Sequence, residues 1–177
     1  MAMIYSFGNT SGAHMNPAVT IAFAIDGRFN FKKLPGYILA QIFGSILASV
    51  VLKILFPSSQ YLGATLPSGS ELQSFVLEGI LTFILMLVIL NVSTGSKEQG
   101  MFAGIAIGAV VLLEAMFAGP ISGASMNPVR SLAPAVISGN SQHLWIYLTA
   151  PIIGASLAIP VFKLTQIKNN NYENSIV

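Results

Sequence analysis

The chain has no cysteine, which excludes disulfides and thiolate metal sites. Charge is almost as scarce. Only 8% of its 177 residues are charged, where a soluble domain carries roughly a quarter. The two histidines, His14 and His143, lack metal-ligand spacing, so neither a metal nor a cofactor is expected. No nucleophile stands beside a base, and Asp26 and Glu98 fall in loops, which leaves an enzymatic role without support. The net charge of +2 is too small and too dispersed to suggest nucleic acid. The opening "MAMIYSFGN" contains no basic residue and does not resemble a cleavable signal peptide.

Apolar sequence is abundant instead. Hydrophobic residues make up 54% of the chain, concentrated in runs at 34–56, 72–92, 100–121 and 144–164. Each run is long enough to cross a hydrocarbon core of about 30 Å, which takes roughly 20 helical residues. None alternates as a barrel strand would, and none has the polar face of a soluble amphipathic helix. An all-α membrane protein is therefore expected, with the lipid bilayer as its solvent. Of the eight Lys and Arg, Arg28, Lys32, Lys33, Lys97, Lys163 and Lys168 share one side of the predicted topology. The opposite loops, 57–69 and 138–143, have none. The positive-inside rule makes the first side, and the C-terminus, cytoplasmic in a multi-pass cell-membrane protein. Lys53 lies near the outer end of its span, where it can snorkel. His143 is expected at the interface, with Trp145 and Tyr147 in the aromatic belt.

One feature is written twice: "SGAHMNPAV" at 11–19 and "SGASMNPVR" at 122–130. A second match follows at nearly the same offset, "YILAQIFGSILA" (37–48) against "YLTAPIIGASLA" (147–158). Two spans precede the second motif and only "MAMIYSFGN" precedes the first, so the first copy reads as lacking its first span and most of its second. The expected division is an incomplete first repeat (1–69), a second repeat (70–165) and a polar tail (166–177). An odd number of crossings separates equivalent positions, so the repeats are inverted, an arrangement that places a shared site near the midplane.

Within each motif, Pro17 and Pro128 suit the first position of a helix, and Asn16 and Asn127 suit the N-cap before it. A capping side-chain oxygen takes an N–H of the first turn and leaves the NH₂ to donate. The runs that follow, 18–25 and 129–137, are too short to span and read as half-helices. Gly12 and Gly123 let irregular backbone fold back toward the midplane, where such chain is tolerated only beside a cavity. Head to head, the half-helices would aim two positive dipole ends and two amide donors at one point. Neutral solutes would pass there while cations and protons would not. Arg130, one turn beyond Asn127, reaches the outer side of that point; its counterpart Val19 lines the inner side without charge. An arginine inside the membrane is a functional candidate by default.

These segments, together with "EGILTF" at 78–83, resemble the aquaporin and aquaglyceroporin family of major intrinsic proteins across essentially the whole chain. "FAGPISGASMNP" (117–128) is most similar to the nodulin-type branch and its bacterial relatives. The resemblance implies an inverted-repeat helical bundle with two half-helices, lacking the first span and most of the second. It implies a passive channel for water and small neutral solutes such as polyols or undissociated metalloid acids. Ala18 completes the first family motif, whereas Val129 replaces the usual alanine of the second. By the same resemblance, Arg130, Ala124 and Ala115 belong to the selectivity filter, whose fourth position would precede Met1. Glu78 is similar to the glutamate that orders the loop before the second half-helix by accepting backbone N–H groups. Glu114 could face that loop, line the pore or pair elsewhere. His14 stands near the cytoplasmic mouth, where a structural hydrogen bond is expected rather than pH sensing. A homotetramer is implied if the chain is complete. The alternative is a truncated, non-conducting family member or a fragment of a longer six-span channel.

Overall fold

A computed structural model describes residues 1–94 and 97–173, and side chains outside 95–100 and 167–177. The side chains of Lys97 and Lys168 and the last residues of the tail, 174–177, lie outside that description. Among the described residues all regular structure is helical: α1 (Ala2–Ser11), α2 (Pro17–Ile25), a 3₁₀ turn (Phe31–Lys33), α3 (Leu34–Leu55), α4 (Glu71–Val92), α5 (Lys97–Ser122), α6 (Pro128–Ser138) and α7 (Leu144–Glu173). The four long helices α3, α4, α5 and α7 are apolar enough and long enough to cross a membrane. α2 and α6, with 9 and 11 residues, reach only about half of a 30 Å core at 1.5 Å per residue.

Local chemistry sets the boundaries. Gly12 ends α1 in the left-handed conformation at φ 70, and Gly139 ends α6 the same way at φ 80; only glycine does this without strain. Ser70 caps α4 by accepting the Gln73 N–H at 3.1 Å, and Glu71 sits at the positive end of the helix dipole. Pro35 occupies the first turn of α3, where its missing N–H has no partner to lose.

α4 packs most extensively on α7, and then on α5. Its buried residues, Ser74, Glu78, Leu81, Thr82, Leu85, Met86, Ile89 and Leu90, fall along one helical stripe. At the crossing, Gly79 meets Gly154 so closely that a Cβ on Gly154 would overlap the Gly79 carbonyl oxygen. Small residues of this kind let helices approach where lipid offers no hydrophobic drive to associate. The half-helices fill the interior: α2 packs on α7 and α3, α6 on α3 and α7, and the two touch each other.

One expectation needs correction. Tyr147 is fully buried rather than belted at the interface, because its hydroxyl donates to the Ser122 carbonyl at 2.6 Å inside the protein. Trp145 beside it remains exposed and stacks on Phe75. α7 runs on as helix to Glu173. Lys53 of α3 donates to the Ile137 carbonyl of α6 at 3.5 Å.

Candidate functional site: the junction of two half-helices

Asn16 and Asn127 cap α2 and α6 from extended backbone at φ −151 in each case. Asn16 Oδ1 accepts the Ala18 N–H at 3.0 Å; Asn127 Oδ1 accepts those of Val129 at 3.2 Å and Arg130 at 3.5 Å. Their amide nitrogens do something the capping rule alone does not foresee. Asn16 Nδ2 donates to the Met126 carbonyl at 2.7 Å, and Asn127 Nδ2 donates to the Met15 carbonyl at 2.9 Å. Each cap is thus bonded to the residue preceding the other cap. The two helix N-termini are held head to head, with one hydrogen of each NH₂ engaged and the second left over.

The loop before α6 is bent and braced. Gly123, Ala124 and Met126 all have positive φ, at 87, 43 and 53, which is costly for the two that carry side chains. Glu78, fully buried on α4, holds them there. Its Oε1 accepts the Ser125 N–H at 2.8 Å and the Ser122 hydroxyl at 2.8 Å, while Oε2 accepts the Met126 N–H at 2.8 Å. Hydroxyl contacts link Ser125 to Ser131, and Ser131 to Thr65 of the loop between α3 and α4 at 2.6 Å. The loop before α2 is braced differently: Gln41 of α3 donates to the His14 carbonyl and, at 2.9 Å, to Thr20 Oγ1. Met15 N–H turns back to the Ala13 carbonyl at 3.0 Å.

A family profile described as "Major intrinsic protein" matches residues 1–162. The chain belongs to the major intrinsic protein family. It is 48% identical over 170 residues to aquaporin NIP1-1 of Zea mays, covering 96% of this chain and 60% of that relative. Nodulin-26 of Glycine max is 49% identical over 166 residues, covering 93% and 61% respectively. The chain therefore spans about 60% of the length of these relatives. In fold it is similar to the solved aquaglyceroporin of Plasmodium falciparum, with a TM-score of 0.78 and 27% identity over 89% of this chain and 77% of that one. Four membrane-length helices in a family of membrane proteins make this a multi-pass membrane protein.

The remaining site residues of this major intrinsic protein are distributed as follows. Arg130, exposed, donates from Nη1 to the Gly63 carbonyl at 2.6 Å. A groove of about 960 Å³ holds it together with Asn127, Val129, His14 and Gln41. Val19 lines a second groove of about 650 Å³, shared with Asn16, Asn127, His14, Phe23 and Leu85. Pro17, Ala18 and Pro128 are buried at the helix starts. Ala124 is buried in the core at 7% exposure, and Ala115 is exposed on α5; neither lines a groove with Arg130. His14 is not held by the hydrogen bond expected for its ring. It stacks on Phe23 with centroids 4.8 Å apart, flanked by Phe29 and Tyr37, and its buried Nδ1 has no partner among the described residues. Glu114 is buried with both carboxylate oxygens likewise unpartnered.

Sequence reasoning missed a latch between the end of α2 and α7. Asp26, just past α2, pairs with Arg28 at 2.6 Å and Lys163 of α7 at 3.4 Å. Arg28 also donates to Ser93 Oγ at 3.0 Å and lies 4.9 Å from the centre of the Phe162 ring. The clustering of Asp26 and Arg28 after an apolar run was the available signal.

Proposed function

We propose that the chain builds the wall of a passive membrane channel for water and small neutral solutes, with polyols and undissociated metalloid acids as the larger candidates. The observation that carries this reading is the pair of reciprocally bonded asparagine caps. Two helix N-termini converge with one amide hydrogen left on each cap, so a passing oxygen meets donors and a positive potential from both sides. A file of waters held this way accepts at its centre and does not relay protons, and cations are repelled. Such a site conducts without catalysing anything and needs no cofactor. The names of the relatives and of the solved structure point to the same class of transport.

In this reading Arg130 is the cationic constriction on the outer side and Val19 and His14 line the inner half, while Ala115 and Ala124 hold the family's filter positions by resemblance alone, away from the grooves that Arg130 lines. Glu78 keeps the second loop in place. On the same reading the loop at 57–69 lies extracellular, the C-terminus lies on the cytoplasmic side of a cell membrane, and a complete chain would assemble as a homotetramer. The competing reading, a non-conducting truncated form, is favoured by the exposure of Arg130 to an open groove.

Swelling of proteoliposomes in stopped flow, comparing water with glycerol, separates the two. The account expects permeability to both, and Arg130→Ala to raise glycerol relative to water by about tenfold, the order of a lost charge-assisted hydrogen bond. No permeability from the chain alone means the competing reading holds. Unchanged selectivity in Arg130→Ala removes the arginine from the filter.

A further inference from the structure

α5 hides one acid. Between Val111 and Ser122 its buried residues are Glu114, Ala118 and Ser122, three positions on one stripe, and the last of them bonds to Glu78 of α4. Glu114 is 3% exposed, and neither of its carboxyl oxygens has a hydrogen-bond partner among the described residues. Glu78 lies within electrostatic reach of it. Arg130 of α6 and Tyr147 of α7 stand near Glu78 in turn. From α1, which also touches α5, come the Tyr5 hydroxyl, engaged on the Met101 carbonyl, and the Met1 amine just before the helix. That amine lies against Gly108, about 9 Å back along α5 at 1.5 Å per residue.

Two buried carboxyls in mutual reach are costly to ionise together, because little water screens their repulsion. Donors decide which one keeps the charge. Three point at Glu78: the Ser125 and Met126 N–H groups and the Ser122 hydroxyl. None points at Glu114, where a buried carboxylate would need several. We propose that Glu114 is a positioning residue: it is a neutral carboxylic acid whose O–H backs the Glu78 carboxylate through one buried water, and so helps Glu78 hold the loop before α6. Glu78 has the capacity to accept it. Among the described residues its Oε2 takes only the Met126 N–H, and each oxygen of an ionised carboxylate offers two lone pairs. A bridging water suits two buried polar groups that do not bond directly. Holding the loop does not depend on which solute passes, so failure of the swelling assay leaves Glu114 in this role.

The full chain, reconstituted in lipid at neutral pH, is read in two ways. Infrared difference spectra should show the C=O stretch of a protonated carboxylic acid, lost in Glu114→Gln and kept, at a shifted frequency, in Glu78→Gln. Deuterium exchange at the Ser125 and Met126 amides then reports the support given to Glu78. Glu114→Gln keeps the shape and a donor, so exchange should match the parent. Glu114→Leu removes the donor and should speed exchange about tenfold or more, the order of a lost hydrogen bond to a charged group. Absence of an acid band that depends on Glu114 overturns the proposal. A band lost in Glu78→Gln instead puts the proton on Glu78 and overturns it equally. So does exchange in Glu114→Gln as fast as in Glu114→Leu, or exchange in Glu114→Leu no faster than in the parent. Should Glu114→Leu fail to fold, the infrared band and the exchange rate of Glu114→Gln still decide.

Discussion

Replacing Glu78 with leucine is expected to abolish the native fold of the loop before α6 and to lower stability by on the order of 3 kcal/mol or more, since each orphaned buried donor costs about 1–3 kcal/mol. Three donors lose their acceptor at once: the Ser125 and Met126 N–H groups and the Ser122 hydroxyl. No water can reach them, because Glu78, Ser122 and Ser125 are all buried. The strain at Ala124 and Met126 then has nothing to hold it, and both residues should relax from positive φ. Glu78→Gln tests the reasoning more finely. It keeps the shape and one acceptor but turns an NH₂ toward an N–H, so a smaller loss of the same sign is expected. Unfolding by a denaturing detergent, titrated against the parent chain in mixed micelles, reads both. Parent-like stability in Glu78→Leu would show that the loop is held by the Ser125, Ser131 and Thr65 hydroxyls instead.

The second large effect is expected from Asn127→Asp. Aspartate is as good an N-cap as asparagine, so α6 should still begin at Pro128. What changes is the contact across the junction. The Nδ2 donor to the Met15 carbonyl becomes a carboxylate oxygen, and two acceptors are then pressed together where a bond of 2.9 Å stood. A negative charge also appears where two positive dipole ends converge. The account expects the half-helices to part and proton or sodium leak to rise well above background in the same liposomes, the reverse of the selectivity that the positive junction provides. Flux measured with a pH-sensitive or sodium-sensitive dye checks this. Asn127→Ala removes the contact without adding charge and should lose stability without gaining cation flux. A leak equal in the two variants would mean that the charge is irrelevant and only the gap matters.

The sequence displayed some of this and concealed the rest for identifiable reasons. Span positions were visible because length and apolarity are set by the bilayer, and α3, α4 and α5 start and stop within a few residues of the apolar runs. The Asn-Pro starts of α2 and α6 were visible because capping is a local transaction between a side chain and the next turn. Which face of each long helix points inward was not. In lipid both faces are apolar, and the buried stripe of α4 even includes Ser74, Glu78 and Thr82, the opposite of a soluble helix. Tyr147 shows the same difficulty: near a helix end it resembles a belt residue, and only the Ser122 carbonyl brought by the tertiary fold explains its burial. The Gly79 to Gly154 crossing depends on register between helices far apart in sequence, as do the cross-bonds of the two asparagines. No local pattern encodes those distances.

The central claim is that the two asparagine caps bind each other's loops, and solid-state NMR can observe it. The chain is labelled with ¹⁵N at asparagine side-chain amides and ¹³C at methionine carbonyls, then reconstituted in lipid. The account predicts dipolar dephasing at the side-chain nitrogens of Asn16 and Asn127, from Met126 and Met15 respectively. Asn9, Asn30 and Asn140, which make no such bond, should show none. Dephasing absent from both Asn16 and Asn127 would contradict the head-to-head junction.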